Sequence, residues 1–405
     1  MDFDDTEDEA AWRDQVRRFV QARRDELGHR GRRGDEPVEV HRARQRVLHE
    51  GGLVGVTWPV EYGGRGGTPM QQAVVEAELA RADVPGPINL IGIGMCGPTV
   101  MVHGSAEQKD RYLRRLLTAD DLWCQLFSEP ASGSDLAALR TRAVREADGS
   151  WRITGQKVWT TLAHVADYGI VLTRTDPDVP KHRGLTMFVI DMKAPGVTVR
   201  PLRQMNGDAE FNEVFFDDVA VPDAERLGEP GEGWKVALTT LMSERLSLGG
   251  GGGEIGIGLN RLTAHVAQRI GELSPERQAL VRARFGRAYV EALGVRYTGY
   301  RQLSLVSKGQ FPGPEASAGK LAGTRVAKDL ADLAVRLLGP EALYDLADSD
   351  GTSWPALMAS LPGMGIAGGT NEVLRNIIGE RVLGLPPEPR SDKDVPFRQS
   401  MEGVR

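Results

Sequence analysis

Ser128-Glu129-Pro130-Ala131-Ser132-Gly133-Ser134-Asp135 is the seam of this chain: apolar residues recur at helical spacing before it and gather into short β-rich runs after it. Upstream, Trp12, Val16, Phe19, Val20 and Leu27 predict an amphipathic helix over residues 10–28. Helical signals continue at Val47 and Leu48 and from Val74 to Ala82, broken by the turn-rich residues 63–69. Residues 84–102 are the most apolar, yet Pro85, Pro87, Gly92, Gly94, Gly97 and Pro98 interrupt them, so they read as a buried helical region rather than a membrane span. Downstream, residues 169–173, 185–191, 197–200 and 214–221 have the β-branched and aromatic character of strands, separated by Gly, Pro and Asp. Another strand-like run, 151–154, leads to an expected turn at Gly155, Gln156 and Lys157, and a loop is expected over 176–184. After Gly233 the helical period returns over 236–248, 278–300, 316–338 and 372–382. The α, β, α order predicts an α+β fold: an N-terminal helical domain (1–122), a middle β domain (123–232), a C-terminal helical bundle (233–388) and a charged tail (389–405) expected to be loose.

The composition narrows the function classes. Of 405 residues, 40% are hydrophobic and 26% charged, the balance of a folded globular chain. The net charge of -6, with basic and acidic residues interleaved, lacks the concentrated basic footprint of a nucleic-acid surface. Cys96 and Cys124 are the two cysteines, and neither they nor the seven histidines have ligand spacing, so no disulfide framework and no metal site are expected. An acidic N-terminus with Asp2, Asp4, Asp5, Glu7 and Asp8 is the reverse of a secretory signal, and a cytoplasmic location is expected.

Several segments could carry chemistry. Backbone N–H groups and hydroxyls in residues 128–135 could approach a phosphate or a flat ring, although a hydrophilic loop capped by Ser134 or Asp135 has the same composition. Trp159-Thr160-Thr161 sets a flat aromatic beside two hydroxyls, which suits a stacked ring and equally an ordinary strand. The run Gly249 to Gly253 follows a helical segment rather than a strand, so it is not a dinucleotide fingerprint and reads instead as a helix break. Glu244 is the most informative residue: Ala237, Leu241, Glu244 and Leu248 share one helical face that should be interior, and burial would raise the carboxyl pKa toward that of a general base. A structural ion pair is the competing reading. Gly368-Gly369-Thr370 precedes a helix for which Thr370 is the expected N-cap, with exposed amides able to polarise a carbonyl.

Taken together these segments resemble the acyl-CoA dehydrogenase family over residues 10 to 388. Glu61-Tyr62-Gly63-Gly64 resembles its N-terminal turn, residues 128–135 its first signature, Trp159-Thr160-Thr161 its flavin-flanking strand, and Gly369-Thr370-Asn371-Glu372 with Arg375 its C-terminal signature. The resemblance implies FAD as cofactor, α,β-dehydrogenation of an acyl thioester carried on coenzyme A or an acyl-carrier protein, and a C-terminal four-helix bundle. A carboxylate would take the α-proton while the β-hydrogen leaves as hydride to flavin N5. Electrons would pass to an electron-transfer flavoprotein. By position, Ser128 and Thr161 would bond the flavin ring, Trp159 would flank it and Ser134 would contact the pyrophosphate. Leu126, Gly133, Arg336, Gly339 and Thr370 would complete the cofactor site, and Arg245, Gly368 and Gly369 would face the substrate.

Three departures from the family pattern matter. Gly368 occupies the usual position of the catalytic glutamate, but Leu241-Met242-Ser243-Glu244-Arg245-Leu246 resembles the site of the branch that includes isovaleryl-CoA dehydrogenase, with Glu244 in register as the base. The Arg-x-x-Phe-Gly element expected near 269–280, which gives flavin contacts across subunits, is replaced. Arg336-Leu337-Leu338-Gly339-Pro340 stands where Gln and a second glycine are common. These changes leave a homotetramer and a heterotetramer with a related subunit both open. A flavin monooxygenase on the same fold and a non-catalytic subunit are the alternative functions.

Overall fold

Two strands buried on both faces, Tyr168–Arg174 and Leu185–Asp191, join the helical and β parts of the chain. The computed structural model describes residues 5–29, 36–249, 252–310, 313–344, 353–389, 392 and 394–402. Its N-terminal part is helical: α1 (Glu7–Ala22), α2 (Arg24–Leu27), α3 (Val38–Glu50), α4 (Pro69–Arg81), α5 (Gly97–His103) and α6 (Ala106–Leu117). Thr6, Thr68 and Ser105 cap α1, α4 and α6, each in a reciprocal capping box with the residue three positions on. A π-helical turn, Gly92–Cys96, leads into α5. Its small residues serve packing, since a Cβ on Gly92 would meet the Asn89 side chain and one on Gly97 the Trp58 ring.

The middle part is one eight-stranded sheet of β1 (Trp123–Leu126), β2 (Arg142–Arg145), β3 (Trp151–Thr161), β4 (Tyr168–Arg174), β5 (Leu185–Asp191), β6 (Val197–Leu202), β7 (Phe211–Val221) and β8 (Arg226–Leu227). The strand order is β6-β7-β3-β2-β4-β5-β8, with β1 pairing parallel to β4. Ile170, Leu172, Leu185, Met187 and Val189 join the core beneath the N-terminal helices, while Val171, Phe188 and Ile190 face a second core within the sheet. Strands buried on both faces read as continuous apolar runs, which is why these two are legible. The seam to the helices is tied by buried Asn89, which accepts from Trp123 N at 3.0 Å and donates to the carbonyls of Leu116 and Asp121, each at 2.9 Å.

Gly155 does not make the expected turn. β3 runs through it as one strand, with shifts of register against β7 between Ile153 and Gly155 and between Lys157 and Thr160. A glycine is required there because a Cβ would strike Thr141, so the residue marks a bulge rather than a chain reversal.

The C-terminal part comprises α7 (Gly233–Gly249), α8 (Gly252–Arg269), α9 (Pro275–Ser307), α10 (Ala316–Leu338), α11 (Trp354–Met364), α12 (Asn371–Ile377) and α13 (Phe397–Glu402). Helices α8 to α11 enclose a third core of Leu262, Ala292, Val326, Leu330 and Trp354 among others; α7 ends at Gly249 and α8 begins at Gly252, and residues 250 and 251 of the expected glycine-rich break lie outside the described residues. The tail is not loose: Phe397 is buried against Arg174, and Phe397 N and Arg398 N donate to the carbonyls of Val179 and Pro177, each at 2.9 Å. A single aromatic carries that docking within a charged stretch, which hid it from a compositional reading. Among the described residues no helix is long and apolar enough to cross a membrane, and no group of His, Cys, Asp and Glu could hold a metal.

Candidate active site

The 128–135 loop is locked from below by a buried ion pair. Glu129 accepts from Arg140 N at 2.7 Å, Thr141 N at 2.8 Å and Lys157 Nζ at 2.9 Å, while Lys157 also donates to the Phe127 carbonyl at 2.9 Å. Val158 N donates to the Ser128 carbonyl at 2.9 Å, so loop and β3 move as one piece. Burial pulls the Lys157 pKa down to about 8 against the opposing pull of Glu129. Burial also works to raise Glu129, but Lys157 and the Thr141 and Arg140 donors outweigh it and hold the carboxyl below its ordinary value. The two partners thus respond unequally to one contact. Three donors converge on Glu129, and the pair is ionised at neutral pH.

Above this lock sits Trp159. It is 61% exposed with φ +59, a left-handed backbone that is a true outlier for a bulky residue. The bulge between Lys157 and Thr160 turns its ring out, edge-on to Phe211 at 6.1 Å. Ser128 and Thr161 are half-buried, and Gly133 and Ser134 are exposed. Leu126 is fully buried in the sheet core, leaving only its backbone for a ligand. The expected cap at Ser134 or Asp135 is absent: Asp135 makes no side-chain cap bond, and Ser132 Oγ donates to the Asp135 carbonyl at 2.6 Å instead.

A second constellation forms where α7, α10 and the turn before α12 meet. Ala237 is buried and Glu244 half-buried on α7, as the helical period predicts, whereas the side chains of Arg245 and Leu248 lie outside the described residues. Gly368 and Gly369 have φ of +64 and +90, and Thr370 caps α12 by accepting from Val373 N at 3.1 Å. Lys320 Nζ donates to the Gly369 carbonyl at 2.9 Å. Burial pulls the Lys320 pKa down, and Lys328 adds to this, while the carboxylates of Glu372 and Glu244 oppose it. Lys320 and Lys157 were not singled out from sequence. Their roles come from tertiary contact, and the one available signal was lysine at positions that the helical and strand periods turn inward.

Arg336 and Gly339 stand apart from this constellation. Arg336 is held by Asp332 at 2.8 Å, and from residue 320 to residue 336 α10 advances ~24 Å.

An exposed, strained aromatic flanked by half-buried hydroxyls, over a rigid loop with open amides, fits a flavin ring, and buried Thr160 Oγ1 beside it has no hydrogen-bond partner. The chain is a flavin-dependent oxidoreductase. Family models for the acyl-CoA dehydrogenase N-terminal, middle and C-terminal domains match residues 6–120, 124–219 and 231–383, so it belongs to the acyl-CoA dehydrogenase family, whose members depend on FAD. It is 37% identical over 374 residues to the acyl-CoA dehydrogenase IpdE1 of Mycobacterium tuberculosis, covering 90% of this chain and 92% of the relative. It is 40% identical over 349 residues to the acyl-CoA dehydrogenase FadE34 of the same organism, covering 85% of this chain but 46% of that relative, and so spans just under half of its length. Among solved structures it is similar to the steroid ACAD Tcur3481-Tcur3483, with a TM-score of 0.82 and 30% identity over 96% of this chain and all of that one. The ChsE4-ChsE5 complex from Mycobacterium tuberculosis matches with a TM-score of 0.80 and 30% identity over the same shares.

Proposed function

We propose that the chain oxidises the α,β carbon–carbon bond of an acyl-CoA, with Glu244 taking the α-proton. The observation that carries this reading is the meeting of Glu244, Lys320 and the Gly368-Gly369-Thr370 turn. That turn offers no carboxylate of its own, because residue 368 is glycine. Glu244 is a half-buried carboxylate on α7, near enough to Lys320 to act on the ammonium that donates to the Gly369 carbonyl. A thioester carbonyl set against the turn would meet backbone N–H groups, which acidifies Cα–H where the carboxylate waits.

FAD, when bound, supplies the acceptor for the β-hydrogen. Ser128, Thr161 and Trp159 would hold its ring, Ser134 with the bare amide of Gly133 its pyrophosphate, and Leu126 would contribute through its backbone. The distance of Arg336 and Gly339 from the turn supports their serving the flavin of a neighbouring subunit, in a homotetramer or a heterotetramer. Both similar structures are named for two chains, which favours the heteromeric form, and the name of the first favours a bulky, ring-bearing acyl group. An electron-transfer flavoprotein is the proposed electron acceptor.

The test is anaerobic stopped-flow reduction of the bound flavin in Glu244→Gln. The variant should keep its flavin spectrum and bind thioester, yet reduce at least about 100-fold more slowly, the usual cost of losing a general base. Reduction at the wild-type rate places the base elsewhere.

A further inference from the structure

Residue 392 and residues 394–402 lie beyond the last residue matched by the C-terminal family model, 383, and they pack onto the loop next to Ser134. Pro396 forms a β-bridge with Pro180, and the Arg398 guanidinium meets Asp178 at 3.0 Å. The ring of Phe397 lies 3.9 Å from Arg174, whose buried guanidinium donates to the carbonyls of Lys181 and Ala137 at 2.7 and 2.5 Å. One aromatic therefore supports both the 176–184 loop and the chain that follows Ser134.

Between the strap and these loops lies a cavity of about 750 Å³, lined by Ser134, Lys181, His182, Arg183 and Trp234 among others. Lys181 is the pivot. Its ammonium is largely buried and shared by Asp135 Oδ2 at 2.7 Å and Asp392 Oδ2 at 2.6 Å. Two of the three carboxylates in the lining, Asp392 and Asp394, come from the strap, facing the two cations Lys181 and Arg183. With the strap in place carboxylates outnumber cations among the described lining residues. With it lifted, two cations and the Ser134 hydroxyl face the single carboxylate of Asp135, and the wall changes sign. A largely buried ammonium requires an anionic partner, and a diphosphate oxygen can accept from Lys181 as the Asp392 carboxylate does.

We propose that the strap is a latch over a diphosphate site: Asp392 occupies the Lys181 ammonium, and a bound diphosphate ester takes its place and releases residues 392 and 394–402. Two diphosphates suit this chemistry, that of FAD and that of a coenzyme A carrier. The latch rests on the functional reading for its diphosphate ligands and for the place of Ser134 beside one, and does not depend on Glu244.

The test uses the purified flavin-loaded protein and Asp392→Asn, which removes the competing charge while keeping the shape. Dissociation constants for coenzyme A, the rate of FAD loss, and hydrogen exchange of peptides spanning 394–402 are measured, with adenosine as the phosphate-free control. If the carrier is the ligand, coenzyme A speeds exchange of the strap and binds the variant about five- to tenfold more tightly, while FAD loss is unchanged. If FAD is the ligand, the variant loses FAD several-fold more slowly and coenzyme A binding does not change. Either pattern supports the latch. Unchanged constants for both diphosphates in the variant, or strap release by adenosine equal to that by coenzyme A, overturns it.

Discussion

At the scale of single residues the site is built on tension held by its surroundings. Trp159 keeps a left-handed backbone while its ring stays 61% exposed, so little burial compensates for the strain. Trp159→Gly should therefore leave stability unchanged or raise it by about 1 kcal/mol in urea titrations, while lowering flavin occupancy. A loss of stability without loss of flavin would show that the tryptophan is structural. Lys157 and Glu129 work in the opposite way. Lys157→Met leaves a buried carboxylate with two amide donors and without its hydrogen-bonded cation, which should cost about 3–5 kcal/mol. Adding Glu129→Gln to it should recover part of that loss, and strict additivity of the two changes would mean that the pair is not coupled.

At the scale of elements, strands β4 and β5 and helix α10 were legible because their period or their continuous apolar character extends over the whole element. Gly155 was misread because glycine signals a turn and a bulge alike, and only the partner strand distinguishes them. The docked tail was invisible because its anchors, Phe397 on Arg174 among them, bind residues more than two hundred positions earlier. The face of Glu244 could be read from spacing, but its closeness to Lys320 could not, since α10 packs against α7 only in the folded chain. The strap also carries a pH signature. Asp392 lies below its ordinary value because Lys181 donates to it, with His182, Asp135 and Asp394 close by. A depressed carboxylate contributes fully above its undocked pKa of about 4, and the contribution is lost as pH falls through the docked value. Protection of peptides spanning 394–402 should thus hold down to about pH 4 and then fall, and Asp392→Asn should lack this acid step. An identical acid step in the variant would assign the transition to another group.

At the scale of the whole molecule, three cores, the first shared by the N-terminal helices, one face of the sheet and α7, hold the chain around two constellations, one suited to a flavin and one carrying the carboxylate. The family explains why FAD belongs here, while Gly368 and residues 336–340 are where the sequence differs from the motifs expected of it. The dehydrogenase reading requires electrons to enter the flavin from the thioester itself, whereas a monooxygenase on this fold would draw them from a separate reductant. Anaerobic titration of the flavin-loaded protein with a panel of acyl-CoA thioesters, including branched and ring-bearing acyl groups, distinguishes the two. The account predicts stoichiometric bleaching of the flavin by at least one thioester with no reductant added. A flavin that stays oxidised across the whole panel, and is bleached instead by a reduced nicotinamide, would contradict it.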